Sequence, residues 1–167
     1  DATAIDDLTG NSYSGIGNSS SVNFAAADLF SPTLASSTPA DDATGIAVNS
    51  NIVLTFNETV QAGTGNITLF KSDNTSVEVF DVTTDVTVSG ATVTLNPAAD
   101  LDSLQGYYVQ VASTAVKDTS NNAYAGISDT TTLSFTAADI AGPTLASSTP
   151  ADDATGIAVN SNIVLTF

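Results

Sequence analysis

The chain contains no cysteine, histidine, methionine or tryptophan. Without cysteine there is no disulfide and no thiol chemistry, and without cysteine or histidine the usual zinc and haem ligand sets cannot be assembled. Serine is abundant, but a serine nucleophile has no histidine here to activate it. Positive charge is nearly absent as well: Lys71 and Lys117 stand against 18 acids, a net charge of −16. A surface of that sign repels phosphate backbones, which excludes nucleic acid as a partner. No apolar run approaches the ~18 residues of a membrane-spanning helix, so no membrane insertion is expected in this segment. What remains is 42% hydrophobic residues and a mean hydropathy of +0.18, enough apolar content to fold despite the wealth of Ser, Thr, Asn and Asp.

The most informative feature is a repeat. Residues 32–56 and 143–167 are the same 25 letters, PTLASSTPADDATGIAVNSNIVLTF, offset by 111 positions. The same offset lays residues 1–31 on 112–142 without a gap, and 11 of those 31 positions are identical. Among them are Asp7 with Asp118, Asn11 with Asn122, Tyr13 with Tyr124, Gly15-Ile16 with Gly126-Ile127 and Phe24 with Phe135. The chain therefore reads as a window on a tandem array. Residues 1–31 form the end of a preceding, diverged unit, 32–142 one complete unit, and 143–167 the first strands of a near-identical successor. A unit of about 111 residues is a common size for one domain.

Within the complete unit, short alternating runs are broken by Gly, Pro, Asn and Asp, which predicts strands and an all-β, two-sheet sandwich. Strands are expected at about 33–36, 51–56, 66–71, 77–82, 86–89, 91–95, 107–112 and 130–136, seven or eight in all. Residues 51–56 put Ile52, Leu54 and Phe56 on one face. A two-residue Ser89-Gly90 turn would pair Val88 with Ala91, Thr87 with Thr92 and Val86 with Val93. Tyr107, Val109 and Val111 should face inward and Tyr108 outward. Only 58–62 and 98–104 could hold a helical turn.

Two stretches carry a family resemblance. Ser37-Thr38-Pro39-Ala40-Asp41-Asp42-Ala43-Thr44-Gly45-Ile46-Ala47-Val48, followed by Ile52-x-Leu54-x-Phe56-x-Glu58-x-Val60, resembles the opening of a bacterial Ig-like domain family. Val116-Lys117-Asp118-Thr119-Ser120-Asn121-Asn122, Gly126 and Leu133-x-Phe135 are similar to its closing loop and last strand. Asn121 stands where the family usually has glycine; asparagine tolerates the same left-handed backbone. That family occurs in tandem in S-layer proteins and giant bacterial surface adhesins. The resemblance implies an Ig-like antiparallel sandwich, an extracellular or bacterial cell-surface location and a structural, non-enzymatic role. The Leu101…Tyr107-x-Val109-x-Val111 run is similar to the tyrosine corner of Ig-type sandwiches; an ordinary half-buried strand tyrosine reads equally well.

The acids are the candidate chemistry. Asp41, Asp42, Asp100, Asp102, Asp118 and Asp139, with Glu58, fall in expected loops or linkers. If Asp41, Asp42, Asp100, Asp102 and Asp139 share one end of a unit, they would face the Glu58 and Asp118 loops of the next unit. Like charges pressed together there call for a cation, and the hard, oxygen-seeking choice is calcium, the one cofactor expected. The competing reading makes these aspartates turn formers. Paired carboxylates could also suggest glycoside hydrolysis, but no tryptophan platform exists to hold a sugar ring. The Thr-rich faces (Thr87, Thr92, Thr94, Thr130–Thr132) are good strand formers before they are a binding surface. The sequon-like Asn18, Asn57, Asn66 and Asn74 triplets are expected by chance in such a composition. Linkers of six residues, 137–142 and 26–31, each ending at a proline, should restrict bending between units.

The function expected is therefore a stalk segment of a very large repetitive cell-surface adhesin. Its partners are neighbouring repeats of the same chain and, in an assembly, identical chains. The alternatives are an S-layer or extracellular filament component, and a carbohydrate-binding accessory repeat of a secreted enzyme.

Overall fold

Strands form wherever the period-2 pattern can be buried on both sides of one core. The computed structural model describes residues 5–13, 15, 17 and 22–167, which fall into two units, Asp1–Phe30 and Ser31–Phe167. Ile16 and the Asn18 triplet lie outside the described residues. There is no helix among the described residues.

In the larger unit one sheet holds β1 (Leu34–Thr38), β3 (Ile52–Phe56), β8 (Thr92–Leu95) and β7 (Val86–Ser89), in the order β1-β3-β8-β7. The other holds β2 (Ala43–Ile46), β11 (Ser134–Ala137), β9 (Gly106–Val111), β5 (Asn66–Lys71) and β6 (Ser76–Asp81), in the order β2-β11-β9-β5-β6. A short pair, β4 (Val60–Ala62) with β10 (Val116–Asp118), makes a third, two-stranded sheet. Neighbours are antiparallel except β2 and β11, which run parallel. The inward sets interdigitate: Ile52, Leu54 and Phe56 with Val93 and Leu95 from one sheet, and Ile67, Leu69, Phe80, Tyr107, Val109, Val111 and Phe135 from the other, all buried in one cluster. Tyr107 stacks on Phe135 at 5.7 Å between ring centres, and Tyr124 meets Phe56 edge-on at 5.2 Å, geometries that suit the ring quadrupoles. This is an all-β Ig-like sandwich, antiparallel but for its first-edge pair.

Several expectations need correction. Eleven strands, not seven or eight, lie between Leu34 and Ala137. The three unexpected ones, β2, β4 and β10, have only three or four residues each, too few for a period to show. Within 58–62, Val60–Ala62 is strand β4 and there is no helical turn. The final strand begins at Ser134 and not at 130, because the Asp129 carboxylate accepts the N–H groups of Thr131 (2.8 Å) and Thr132 (2.7 Å) and turns the chain there. The β7–β8 hairpin pairs Val86 with Leu95, Thr87 with Thr94 and Val88 with Val93, two residues away from the expected register. Its loop is Gly90-Ala91, with Gly90 at φ 57° in the first loop position, where a type II′ hairpin takes glycine. Tyr108 does point away from the core, yet it is buried. Phe70 stacks on its ring at 5.0 Å and its hydroxyl donates to Asn74 Oδ1 at 3.0 Å.

The chain enters and leaves this sandwich at opposite ends. Thr33 and Asn57 bond each other where β1 begins and β3 finishes, beside the Gly90-Ala91 turn that receives Phe56 N–H. Ala138 leaves at the other end, its N–H donated to Ile46 and its carbonyl accepting from Leu104. Residues 143–167 contain a hairpin of β12 (Ser147–Thr149) and β13 (Val164–Thr166).

Among the described residues of the smaller unit, a loop closes on Asp7. Asp7 Oδ1 accepts from the N–H groups of Thr9 and Asn11, each at 2.9 Å, and Oδ2 from Asn11 Nδ2 at 2.9 Å. Asp6 and Ser12 bridge its base.

Candidate functional site

The acids lie in three separate places. Where the chain enters the sandwich, Asp118 is buried at the end of β10. Its Oδ1 accepts from Ser120 N and Asn122 N, each at 2.8 Å, and its Oδ2 from Asn122 Nδ2 at 2.7 Å. Burial works to raise its pKa; the donors of Asn122, Ser120 and Asn121 outweigh it and the pKa is lowered. A carboxylate oxygen of Glu58 lies within 4.8 Å of one on Asp118.

At the exit end, Asp102 forms an ion pair with Lys71, Nζ to Oδ2 at 2.6 Å. The hydrogen bond and charge of Asp102 raise the Lys71 pKa. Ser103 Oγ donates to Asp139 at 3.3 Å and accepts from Ile140 N at 3.0 Å, and Asp139 Oδ1 accepts from Ala141 N at 2.9 Å. Asp100 stands exposed just before Leu101, whose N–H goes to the Val48 carbonyl.

Asp41 and Asp42 occupy a third place, on the flank. They sit in the β1–β2 crossover, where Ser134 N donates to Asp41 Oδ1 (2.9 Å) and Ser134 Oγ to Asp42 Oδ1 (3.0 Å). That corrects the expectation of a shared end: the crossover holds them beside the start of β11, while Asp139 follows its far end. Among the described residues, no three of Asp41, Asp42, Asp100, Asp102, Asp118 and Asp139 bring ligand oxygens within 4.8 Å of one another. Asp41, Asp118 and Asp139 accept backbone N–H groups, as Asp73, Asp81 and Asp129 do. The Asp129 pKa is lowered to about 2, chiefly by the Thr131 N–H and then by Thr132.

The tyrosine corner is present: Asp102 N donates to Tyr107 Oη at 2.7 Å. The bond pins the loop that carries Asp102 and Ser103 onto β9, and so positions the exit end. What sequence reasoning missed is the loop equivalence in full. The Asp118 loop repeats the backbone bonds of the Asp7 loop and the donors to its carboxylate from the residues two and four positions on, Asp118 N to Asn122 O at 3.0 Å matching Asp7 N to Asn11 O at 3.0 Å. The Lys117–Ala123 bridge likewise matches Asp6–Ser12. The left-handed position is Asn121 (φ 71°) in one and Gly10 (φ 87°) in the other. The exit turn recurs too: Phe30 N donates to Asp28 Oδ1 at 3.1 Å, as Ala141 N does to Asp139. The shared Asp7/Asp118, Asn11/Asn122 and Asp28/Asp139 letters were the available signal.

Shallow surface clefts accompany these loops. One of about 480 Å³ is lined by Asp42, Ser72, Tyr108, Thr130 and Ser134 among others. No helix among the described residues is long and apolar enough to cross a membrane.

No curated protein matches the chain. Among solved structures, it is similar to CopC from Methylosinus trichosporium OB3b, at 12% identity and a TM-score of 0.48, over 68% of this chain and 99% of that one. It is also similar to the S-layer protein rSbsC(31-844), at 22% identity and a TM-score of 0.43, over 71% of this chain and 15% of that one. The family described as Bacterial Ig-like domain matches residues 29–137, spanning every strand of the complete sandwich. The chain belongs to the bacterial Ig-like domain family.

Proposed function

We propose that the chain is a non-catalytic extender, a stalk segment of tandem Ig-like repeats in a large bacterial cell-surface adhesin. The observation that carries this reading is the placement of Pro32 and Ala138 at opposite ends of one sandwich. A repeat built that way advances the chain by its own length instead of folding it back. The nine strand residues of β1 and β2 alone cover about 30 Å at ~3.3 Å per residue. The short linkers support the same role. Asp28 and Asp139 each close a turn on the residue two positions later, and the following proline removes further freedom.

The acidic surface keeps neighbouring stalks from sticking to one another. No group of the sandwich needs to perform chemistry for this role. Solution scattering on chains of one, two and four repeats tests it: the maximum dimension should grow by a constant increment per repeat. A radius of gyration that grows as for a freely jointed chain would refute the stalk, and lateral association in the same samples would favour a lattice or filament.

A further inference from the structure

The linker that leaves the complete repeat is tied down along most of its length. Ala138 donates its N–H to Ile46 O at 2.7 Å, and its carbonyl accepts from Leu104 N at 3.2 Å. Asp139 Oδ1 accepts from Ser103 Oγ at 3.3 Å and from Ala141 N at 2.9 Å. Ile140 donates its N–H to Ser103 Oγ at 3.0 Å. Residues 138–141 are therefore all bonded, and one side chain, Ser103, reaches both 139 and 140. A hydroxyl can do this because it donates and accepts at once.

Ser103 is itself held. Asp102 N–H donates to Tyr107 Oη on β9 at 2.7 Å, and the Asp102 carboxylate pairs with Lys71 at the end of β5. Leu104 lies in left-handed backbone at φ 59°, an unfavourable place for a residue with a Cβ. Its bond to Ala138 keeps it there. Two strands of one sheet thus fix the 102–104 loop, and the loop fixes the linker.

Beyond Ala141 the restraint stops. Among the described residues no hydrogen bond holds Gly142, and a Cβ added there would touch nothing. Pro143 follows with its φ fixed by the ring. The chain is caught again early in a repeat. In the complete one Pro32 is buried, Thr33 N donates to Asn57 Oδ1, and Thr33 O accepts from Asn57 N. The next repeat opens with the same Pro-Thr pair at 143–144.

We propose that Ser103 clasps the exit linker to the repeat it leaves, and that the joint to the next repeat bends only at Gly142. The proposal rests on the stalk reading and supplies the source of its stiffness. It also makes the two joints of this chain unequal. Ser31 stands where Gly142 does, and a residue before proline is pushed towards extended backbone by its Cβ, which glycine lacks. The Ser31 joint is the stiffer kind and the Gly142 joint the looser. Gly142 is outside the left-handed region, so serine fits there without strain.

Because the chain has no cysteine, a pair of spin labels reads the joint directly. Chains of two complete repeats carry Thr87→Cys, at an exposed position of β7, and the same change one repeat on. The spread of label-to-label distances is compared with that after Ser103→Ala or Gly142→Ser. Ser103→Ala is expected to broaden the spread and Gly142→Ser to narrow it, while the Tm of each stays within a few degrees of the parent. In the 167-residue chain the Ile140 amide should exchange about tenfold faster in Ser103→Ala, the upper end of what one hydrogen bond contributes, with Val109 unchanged. A narrow parental spread that Ser103→Ala leaves as it was, an Ile140 amide indifferent to that change, or a spread that Gly142→Ser does not narrow would each overturn the clasp and leave the stalk standing. A parental spread as wide as that of a freely jointed pair would overturn both.

Discussion

Leu54 and Leu165 are the same residue in the same 25-residue context, and replacing each in turn by alanine separates burial from sequence. Leu54 lies between β1 and β8, fully buried among the core side chains. Its truncation removes the transfer energy of the lost carbons and leaves a cavity, a cost of about 3 kcal/mol within the range for buried leucines. For a domain of this size each kcal/mol lowers Tm by roughly 4–8 °C, so a fall on the order of 10–20 °C is expected. Leu165 is half exposed on β13, and its truncation should stay within about 0.5 kcal/mol, a Tm change of a few degrees at most. Melting followed by circular dichroism and urea midpoints at one low protein concentration measures both. Equal losses for the two variants, or no loss for Leu54→Ala, would refute the assignment of the core to the first copy.

Tyr107→Phe removes the acceptor for Asp102 N–H and should cost about 1–2 kcal/mol, read as a lower urea midpoint with an unchanged slope. Acid should weaken the fold: Asp73, Asp81, Asp118 and Asp129 all have lowered pKa values. Stability held by these carboxylates is fully present above the ordinary value near 4 and is lost as pH falls through the folded values, about 2 for Asp129. Asp129→Asn is expected to flatten the melting-versus-pH profile between pH 4 and pH 2, and an unchanged profile would contradict the role given to the Thr131 and Thr132 donors. Any rise in Tm on adding calcium should disappear in Glu58→Gln and survive in Asp41→Asn and Asp102→Asn. That pattern follows because Glu58 and Asp118 approach each other while Asp102 is paired with Lys71 and the crossover acids with Ser134.

The central strands were legible because their alternation is long enough to count. β5 and β7 fall at the expected bounds, and β3 within one residue. The hairpin register was not, and the reason is parity. A slip of two residues keeps valines opposite apolar residues and threonines opposite threonines, so side-chain pattern cannot tell 86–93 from 86–95. Only the backbone at Gly90 decides. The acids lie in loops as expected except Asp118, the last residue of β10, and the positions of Asp41 and Asp42 along the sandwich depended on the crossover between β1 and β2, which carries no period of its own.

The repeated element separates the two kinds of information most cleanly. Its 25 letters alone specify the β1–β3 pairing and the Asp42 backbone, because the same register and φ return in β12, β13 and Asp153. They do not specify β2, which is a strand at 43–46 and none at 154–157. Nor do they specify whether a leucine is core or surface. The hairpin contacts are local, and the sequence carries both partners. β2 needs β11, some 90 residues further on, and Leu54 needs β8, so only the assembled tertiary structure can supply what they are to become.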